Sequence, residues 1–585
     1  MNLQKLLFCL ILHGVTAGGL LGQSVAPEWI RSVSAGNLTS VNQAVNEFQR
    51  DMLRRDAQGN IYSAGAISAG THRDASIVKY DPAGNVLYTA QYDSGLQQDD
   101  QVLDLQPDGL GNLYVSGRSA NGSNFAALFL KLDANGQILW DTTWSLNATS
   151  TDGVDEIVFD SQGNVYFAAT SFDGNYHYTL HKLSPGGNIL WSSTYSGGTF
   201  NFGYPAHVVI DSLDGLYLSG QDRSPSGQDD IALIKYDTSG NQIWVRTWNS
   251  PVNGLDYNFD LINDGAGGII LGGAQDLLNN DRMLLLKYDF NGNLVWDFLY
   301  GNPDNQGEVG RRLAIDDRFN IYLGGEHKRP GNGFEFQLLR VDSSGSLDWV
   351  QTYLPANTNQ AFFYDVQLDS AANVYAIGWY DSGANGQDLA AIKLDASGSF
   401  QWDFLYDHGG GQADRGYIVE PGEAGKVYLK GVGSDAVGLQ LYTIKLGECA
   451  LVTANLIPSA AAICLGDTLA LTNASQNAID FQWTINGNNF STANDTAWLA
   501  TGSGSVAIGL IASLNNCADT AQQSVALFVP PQIDLGPDTT ICSTASLVLT
   551  PGAGFSNYLW QDNSANASLL ASTAGTYTVT VTDAN

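Results

Sequence analysis

The side chains that most often carry catalysis or bind metals are scattered along this sequence. It contains no His-Glu-x-x-His, Cys-x-x-Cys or Gly-x-Ser-x-Gly motif and no phosphate-binding loop. Six histidines follow the N-terminal apolar segment in different parts of the chain, namely His72, His177, His181, His207, His327 and His408. His177 and His181 would share one face of a helix, but they lie in a strand pattern that separates them. We therefore predict no catalytic residue, no metal ligand and no cofactor.

Carboxylates are the most abundant reactive groups, with 59 Asp and Glu against 26 Lys and Arg and a formal net charge of −33. This charge disfavours nucleic acid and anionic membrane surfaces as partners. Cations, neutral glycans and basic proteins stay open as ligands, and the acidity equally fits a role in solubility. A glycan-cleaving enzyme needs two or more converging carboxylates, and a chain this rich in Asp could supply them.

Cysteine usage indicates an oxidising compartment. Cys9 lies in the N-terminal apolar segment, which leaves Cys449, Cys464, Cys517 and Cys542 in the remaining chain. We predict a disulfide between Cys464 and Cys517, which would contribute about 3–4 kcal/mol. Cys542 is expected to need a partner beyond Asn585, and Cys449 is left unassigned.

The N-terminus predicts a secretory signal peptide over residues 1–22. Lys5 supplies a positive charge, residues 6–15 are apolar, and small residues follow. Ten apolar residues are too few to span a bilayer, and no later run is long enough. We therefore expect a secreted protein that is extracellular or lies on the outer cell surface and does not span the membrane.

Three residue series recur with a period of about 52 residues and identify a repeat protein. The first series follows a turn and comprises Tyr62, Tyr114, Tyr166, Tyr217, Ile270, Tyr322, Tyr375 and Tyr428. The second lies 16 to 18 residues further on and comprises Lys79, Lys131, Lys182, Lys235, Lys287, Arg340, Lys393 and Lys445. The third lies nine residues beyond the second and comprises Tyr88, Trp140, Trp191, Trp244, Trp296, Trp349 and Trp402.

Each repeat predicts four short strands joined by tight turns. Around Tyr166 we expect strands at residues 156–159, 164–169, 178–183 and 188–194. In seven repeats an Asp six residues before the tyrosine-series residue opens the first turn, because Asp bonds its own backbone there. A calcium loop is the functional alternative for these Asp-x-x-Gly-Asn turns, but they lack the dense alternating oxygen ligands of such loops.

Four-stranded units of this length predict the blades of a β-propeller in an all-β fold. Eight members in each of the first two series indicate eight blades over residues 23–448, with seven blades as the alternative. Trp29 precedes the first full unit, and Ala454 stands where the last unit should have its aromatic residue. We therefore expect the Trp29 strand to pair with the Lys445 strand and complete the last blade, which removes free sheet edges.

The recurrent aromatic and basic residues are interpreted as structural, because a functional site is normally singular whereas these residues occur in every blade. We expect the lysines and arginines to lay their stems over aromatic surface and to place their charges near a carboxylate or water. Packing between blades is assigned to Trp29, Trp140, Trp191, Trp244, Trp296, Trp349 and Trp402.

The repeat resembles the bacterial secreted β-propeller (SBBP-type) repeats built on Asp-x-x-Gly-Asn-x-Tyr and Lys-Tyr-Asp-x-x-Gly-Asn-x-x-Trp. The segment Lys235-Tyr236-Asp237-Thr-Ser-Gly240-Asn241-Gln-Ile-Trp244 is close to that consensus. The resemblance covers residues 24–448 and implies export and a ring-shaped scaffold, without catalytic residues to carry over. Quinoprotein dehydrogenases are the enzymatic rival, since they are eight-bladed with recurrent tryptophans. This chain lacks their Thr-Gly turn step, an adjacent cysteine pair and a haem-binding Cys-x-x-Cys-His.

After Lys445 the period stops, and short strands around Trp483 and Trp560 predict two immunoglobulin-like sandwiches at residues 449–530 and 531–585, the second incomplete. Both resemble the PKD and Ig-like modules in surface proteins of gliding, type IX-secreting bacteria. That resemblance implies spacers or adhesive modules ahead of a C-terminal sorting domain read by the export machinery.

Function is predicted to lie in variable loops on one face of the ring, because recognition usually resides in such loops on a rigid scaffold. The repetitive turns should share the opposite face. We expect ligand contacts from Tyr204, Trp379, Tyr380, Phe172 and His327, whose exposed aromatic members suit stacking on sugars or apolar side chains. A non-catalytic binding or adhesion scaffold for a glycan or protein is the leading hypothesis. A secreted propeller enzyme, either a glycan-cleaving hydrolase or a quinoprotein-like oxidoreductase, is the alternative.

Overall fold

A computed structural model describes most of the chain, and contacts divide it into two compact units, Met1–Glu448 and Cys449–Asn585. The described residues are 25–34, 52–69, 72–196, 206–223, 228–251, 254–276, 280–304, 306–331, 333–383, 386–407, 413–423, 425–435, 438–448, 452–476, 478–514, 517–542 and 544–582. These residues form strands, turns and irregular segments, and none of them belongs to a helix that could cross a membrane. The proposed signal peptide, Tyr204 and Cys449 lie outside the described residues.

The first unit consists of four-stranded antiparallel sheets, called blades here and numbered along the chain. Strand β1 (Val25–Ser34) comes first. Blade 1 contains β2 (Leu53–Arg55), β3 (Ile61–Ala69), β4 (His72–Tyr80) and β5 (Val86–Tyr92). Blade 2 contains β6 (Asp100–Pro107), β7 (Leu113–Asn121), β8 (Asn124–Leu132) and β9 (Ile138–Trp144). Blade 3 contains β10 (Thr151–Phe159), β11 (Val165–Phe172), β12 (Tyr176–Leu183) and β13 (Ile189–Ser196). Blade 4 contains β14 (His207–Ile210), β15 (Leu216–Arg223), β16 (Asp229–Tyr236) and β17 (Gln242–Trp248).

The same pattern continues through the second half of this unit. Blade 5 contains β18 (Asp256–Asn263), β19 (Gly268–Gln275), β20 (Arg282–Asp289) and β21 (Leu294–Tyr300). Blade 6 contains β22 (Glu308–Ile315), β23 (Ile321–Lys328), β24 (Phe334–Val341) and β25 (Leu347–Tyr353). Blade 7 contains β26 (Ala361–Leu368), β27 (Val374–Asp381), β28 (Gln387–Leu394) and β29 (Phe400–Tyr406). Blade 8 contains β30 (Arg415–Pro421), β31 (Lys426–Asp435) and β32 (Gly438–Glu448), with β1 as its outer strand.

The first strands of the blades contact one another in sequence, from β2 through β6, β10, β14, β18, β22 and β26 to β30, and β30 contacts β2 again. The unit is therefore a closed β-propeller. Closure uses the strand pair that the sequence predicted, because Trp29 lies opposite Lys445 in the β1–β32 ladder. Pairing the first and last strands of the propeller in one sheet joins the two ends of the ring at the seam.

Blade 4 shows how the three residue series pack together. In blade 4 the Tyr217 hydroxyl donates to Asp211 Oδ2 at 2.8 Å. Lys235 Nζ lies 4.7 Å from the Tyr217 ring centre and 3.5 Å from Asp211 Oδ2. The Trp244 ring centre is 5.9 Å from that of Tyr217. The charge of this partly buried lysine thus meets both a carboxylate and an aromatic face, and both interactions stabilise it.

The tryptophan series also joins neighbouring blades. Trp140 Nε1 donates to the Pro185 carbonyl of the next blade at 2.9 Å, and Trp191 Nε1 donates to the Thr238 carbonyl at 3.2 Å. At the seam, Trp29 Nε1 donates to the Pro82 carbonyl of blade 1 at 3.3 Å. These contacts agree with the assignment of the series to blade packing. Each of these three rings covers the turn between the third and fourth strands of the following blade.

Strands reach further toward the variable loops than the sequence indicated. In blade 3 the first strand begins at Thr151 and the second ends at Phe172, whereas the pattern predicted residues 156–159 and 164–169. Polar residues such as Asp152 and Asp155 interrupt the apolar alternation, and a β-bulge lies between Val154 and Glu156. The loops at this end are therefore shorter than expected.

The second unit contains two small bodies built from sheets. The first pairs β33 (Leu456–Pro458), β35 (Thr468–Asn473) and β38 (Thr496–Leu499) in one sheet. Its other sheet contains β34 (Ala462–Cys464), β36 (Asp480–Ile485), β37 (Asn488–Ser491), β39 (Gly504–Leu514) and β40 (Cys517–Phe528), around a buried Trp483. The second body pairs β41 (Leu547–Leu549) with β43 (Leu569–Ala571) and β42 (Asn557–Trp560) with β44 (Val579–Thr582) around Trp560. The immunoglobulin-like assignment stays a prediction.

The predicted disulfide between Cys464 and Cys517 is wrong. Strand β34 runs parallel to β40, and Cys464 lies opposite Phe528 at the last residue of β40. Cys517 is the first residue of that strand, so about 36 Å of extended chain separate the two Cα atoms. A disulfide requires Cα atoms less than about 7 Å apart, and Cys464 has a free thiol.

Candidate functional site

The propeller has two chemically different faces. The turn face carries the connections between first and second and between third and fourth strands, and the loop face carries the second-to-third connections and the crossovers between blades. On the turn face, Asp56 Oδ1 accepts from the amides of Gln58 and Asn60 at 3.0 and 2.8 Å. Its Oδ2 accepts from Asn60 Nδ2 at 2.8 Å and from the Tyr62 hydroxyl at 3.2 Å. These oxygens stabilise the turn itself.

The same arrangement recurs in the exposed turns between the third and fourth strands of the blades. Asp237 binds the amide and the side chain of Asn241, both at 2.9 Å. Hydrogen bonds from Asn241 hold the pKa of Asp237 below its usual range. A carboxylate that already accepts several hydrogen bonds from its own turn has little capacity left for an ion. The calcium-loop alternative for these turns therefore finds no support in their geometry.

The central channel is lined by acidic side chains of the first strands. Asp104, Glu156, Asp260 and Asp365 each follow the bulge in their strand. Each accepts from a backbone amide of the next blade, and the donors are Ile157 at 3.0 Å, Val208 at 2.9 Å, Leu313 at 2.8 Å and Val419 at 3.1 Å. These four acids are therefore connectors between neighbouring first strands.

Basic residues share this channel. Arg54 lies 3.7 Å from Asp104, and Arg312 lies 3.9 Å from Asp365. A cavity of about 380 Å³ is lined by both arginines together with Glu156, Asp260 and Asp365. The sequence interpretation missed this set, although the acids recur at the period of the repeat. The channel wall therefore contains both acidic and basic side chains, and its carboxylates accept hydrogen bonds from backbone amides. We interpret these contacts as structural.

The loop face contains the residues that were predicted to bind a ligand, and two of them are not exposed. Trp379 was expected on an exposed loop. It lies in β27 instead, and only 8% of its surface is exposed. Its ring stacks on Phe362 with centroids 5.6 Å apart and an interplanar angle of 10°. The Arg415 guanidinium lies 5.6 Å from the same ring. Trp379 is therefore a packing residue between the strands of blade 7 and blade 8.

His327 is likewise buried, with 5% of its surface exposed. Its Nε2 lies 3.1 Å from Asp304 Oδ2 and its Nδ1 lies 3.1 Å from Glu308 Oε1. A histidine held between two carboxylates is fixed in orientation by both ring nitrogens. This group stabilises the junction between blades 5 and 6 and does not present the imidazole to a ligand.

Phe172 is the predicted contact that the structure exposes. It ends β11 with 41% of its surface exposed, and its ring lies 4.7 Å from that of Tyr176 across the hairpin. Asp173 in this hairpin accepts from Asn147 Nδ2 at 2.8 Å and lies 3.0 Å from His177 Nε2. The hydrogen bond from His177 holds the pKa of Asp173 below its usual range. The hairpin therefore presents the Phe172 ring with hydrogen-bonded polar side chains, Asp173 and His177, beside it.

Tyr380 is half-buried beside a group of acids. It lies opposite Asp388 in the ladder between β27 and β28. Burial, followed by the charges of Asp388 and Asp407, raises the pKa of Tyr380 to about 12. Its hydroxyl therefore stays protonated at neutral pH, and the neighbouring acids are Asp388, Asp407 and Asp414. No sequence signal had marked these three acids.

Comparison with known proteins gives similarities to solved structures at low sequence identity. No protein-family model matches the chain, and no curated protein matches it. Among solved structures it is similar to the WD40 domain of SCAP from fission yeast, at 10% identity and a TM-score of 0.39 over 73% of this chain and 98% of that one. It is also similar to polysaccharide lyase Uly1, at 9% identity and a TM-score of 0.36 over 73% of this chain and all (100%) of that one. A protein of unknown function from Dyadobacter fermentans gives 11% identity and a TM-score of 0.33 over 52% of this chain and 97% of that one.

Proposed function

We propose that this chain is a secreted or cell-surface binding or adhesion scaffold without catalytic activity, and that the loop face of its propeller binds a glycan or a protein. The observation that carries the proposal is the exposed Phe172 ring beside the partly buried Tyr176, with the polar border of this hairpin. Aromatic faces stack on the apolar side of sugar rings and on apolar side chains. Asp173, Asn147 and His177 supply fixed hydrogen-bonding groups beside that surface, and this combination is typical of recognition sites.

The rigidity of the rest of the molecule supports the same function. The turn-face aspartates bind their own turns and the channel acids bind the amides of the next blade. A ring whose polar groups are engaged in this way is a rigid support for the loop face, and a rigid support reduces the entropic cost of binding. The second unit, with its resemblance to PKD and Ig-like modules, would then act as a spacer, and export would depend on a C-terminal sorting domain.

The alternative, a secreted hydrolase or oxidoreductase, requires carboxylates or histidines that converge on a substrate. Among the described residues, the groups of three that lie close together are at blade junctions of the loop face. The channel carboxylates instead accept hydrogen bonds from backbone amides. This distribution favours binding over catalysis, and the test below includes a readout for cleavage.

Glycan-array and protein-panel binding by the full chain, with calcium and with chelator, tests the proposal. Phe172→Ala should weaken binding by about tenfold, the usual effect of removing one aromatic contact. Phe319→Ala is the matched control, because Phe319 is 39% exposed but lies in a turn-face turn. Equal weakening by both variants, or no binding to either panel, would contradict the proposal. Release of new reducing ends from a bound glycan would place the protein in the alternative class.

A further inference from the structure

An imidazole and two carboxylates meet on the loop face at the end of blade 1 that leads to blade 2. His72 and Asp74 lie two residues apart at the start of β4, so their side chains share one face of the strand. Asp93 directly follows β5 and adjoins Asp74, because the neighbouring residues Ala75 and Tyr92 are paired in the ladder. His72, Asp74 and Asp93 each offer a ligand atom, and the three atoms lie within 4.8 Å of one another.

Several polar atoms of this region are buried without a hydrogen bond. Both ring nitrogens of His72 and the Oδ1 atom of Asp74 have no hydrogen-bond partner in the described part of the chain, although Asp74 is only 7% exposed. Ser94 follows Asp93, and its amide donates to Asp100 Oδ2 at 2.8 Å. Ser94 Oγ and Asp100 Oδ1 are likewise buried and without a partner among the described residues. Buried polar atoms without partners cost free energy, and several of them together indicate a bound ion or water.

The separation of His72 from Asp74 fits two ligands of one ion. His72 Nε2 lies 3.2 Å from Asp74 Oδ1, yet the pair does not have hydrogen-bond geometry. Zinc binds imidazole nitrogen and carboxylate oxygen at about 2.0–2.2 Å, so two such ligands lie about 3–3.5 Å apart. Two atoms that are this close without bonding each other are suited to face a shared ion.

Neighbouring residues orient this group and act on its charge. Arg73 alternates with His72 and Asp74, so its side chain points to the other face of β4, where its Nε donates to Asp99 at 2.9 Å. Asp93 Oδ1 accepts from the amide two residues further on at 2.7 Å, which fixes this carboxylate in its turn. Burial and, after it, the charge of Asp93 raise the pKa of Asp74 above its usual range. A cation between these carboxylates would therefore be favourable.

The other histidine groups of the loop face are satisfied by their neighbours. His327 Nδ1 lies within hydrogen-bond distance of Glu308 Oε1, at 3.1 Å, and of Asn302 Nδ2, at 2.8 Å. His177 bonds Ser196 Oγ through Nδ1 at 2.8 Å and Asp173 through Nε2 at 3.0 Å. In both cases neighbouring side chains fix the ring. The ring of His72 differs, because neither of its nitrogens makes a hydrogen bond among the described residues.

From this geometry we propose that His72, Asp74 and Asp93 bind one zinc ion. An imidazole together with carboxylates suits first-row transition metals, zinc among them, whereas calcium prefers oxygen ligands alone. Three protein ligands leave the fourth position of a tetrahedral ion open. Asp93 is exposed, so a water molecule can complete the coordination beside it. The site goes beyond the proposed binding role and does not depend on it.

The test uses the full chain after removal of metals with a chelator. Zinc titration by calorimetry should show one tight site, and calcium should not compete for it. Zinc at a hundred times its Kd should raise the melting temperature by about 3 °C for a propeller of this size. In crystals grown with zinc, the anomalous signal of the metal should lie within bonding distance of His72, Asp74 and Asp93.

Two variants and a matched control assign the site. Asp93→Asn changes an exposed residue and keeps an acceptor for its turn, so it should weaken zinc binding more than about tenfold and leave the melting of metal-free protein unchanged. His72→Gln removes the nitrogen ligand and should weaken binding by about a hundredfold or more. Asp407→Asn is the control, because Asp407 has the place of Asp93 in blade 7 while Gly386 has that of His72. It should bind zinc as the wild type does.

The proposal is overturned if the metal-free wild type binds no zinc, in which case water alone satisfies the buried atoms. It is also overturned if His72→Gln or Asp93→Asn binds zinc as tightly as the wild type, or if Asp407→Asn loses the binding in their place. Calcium binding of equal affinity at this site, or anomalous signal at other surface carboxylates alone, would identify the zinc as an adventitious ion only and overturn it equally.

Discussion

Lys430 provides a direct test of the closing blade. It lies in β31 with 1% of its surface exposed, and its Nζ donates to the Ser63 hydroxyl of blade 1 at 3.1 Å. The Thr443 hydroxyl lies 3.0 Å from the same oxygen, and the structure records no ion pair for Lys430 among the described residues. Burial alone lowers the pKa of Lys430 from 10.5 to about 7.

This shift makes the stability of the propeller depend on pH. Between about pH 7 and 10.5 the unfolded chain holds a proton on Lys430 that the folded chain has lost, so the free energy of unfolding rises with pH through this window. Below about pH 7 the folded protein must bury the charge, which costs up to about 5 kcal/mol for a shift of this size. Lys430→Met fills the same space without a charge and loses one neutral hydrogen bond of about 1 kcal/mol.

We therefore expect Lys430→Met to stabilise the propeller by about 3–4 kcal/mol near pH 6, with the gain shrinking to about zero near pH 10. Urea denaturation of both proteins across this range measures the difference, in which the titration of all other groups cancels. Lys445→Met is the control one strand away. Although burial there acts to lower the pKa of Lys445, hydrogen bonds with Glu423 and Tyr428 raise it, so its loss should destabilise. A pH-independent difference between the wild type and Lys430→Met would refute the argument.

Two further predictions concern packing and thiols. Gly240→Ala should lower the free energy of unfolding by more than about 2 kcal/mol in thermal denaturation, because the φ of Gly240 is +84° and an added Cβ would meet the Trp191 ring at 2.8 Å. Gly163→Ala is the control, because Gly163 has a similar φ of +77° but open space around it, and should cost only about 1 kcal/mol. Equal losses would contradict the packing role of the tryptophan series. Alkylation of unreduced protein followed by mass mapping should label Cys464 and Cys542, whose thiols are free, whereas a peptide linking Cys464 to Cys517 would contradict the strand register.

The repeat was predictable from the sequence because the blades reuse a stack of an aromatic, a basic and a second aromatic residue, with Ile270 in place of the first aromatic residue in blade 5. Such a stack needs fixed spacings. Closure followed from one missing aromatic residue and one unpaired Trp29, and the β1–β32 register confirms it. The loop-face ends of the strands were less predictable. Buried acids such as Asp100 and Asp256 lie there, and each accepts from an amide six residues earlier in the preceding loop. In sequence such residues look like exposed loop residues.

The errors at the candidate site have the same physical origin. Trp379 was expected to be exposed because it was assigned to a variable second-to-third loop, but its partners Phe362 and Arg415 come from other strands and are separated from it in sequence. The cysteine pairing failed because spacing along the chain carries no information on the register of β34 against β40. Phe172 was found because it ends β11, at a second-to-third connection that the sequence interpretation had marked as variable.

The acidic residues of this propeller fall into three groups with different hydrogen-bond partners. Aspartates of the turn face, such as Asp56, bind their own turns. Channel acids, such as Asp260, bind the first strand of the next blade. Neither set needs an external partner, because backbone amides and neighbouring side chains use their oxygens. On the loop face the same residue type meets fewer donors, and at Asp388 a buried oxygen has no hydrogen-bond partner among the described residues. Acidity alone therefore did not indicate a site. The hydrogen-bond partners of each carboxylate oxygen distinguish the acids that stabilise the ring from those that can bind something else.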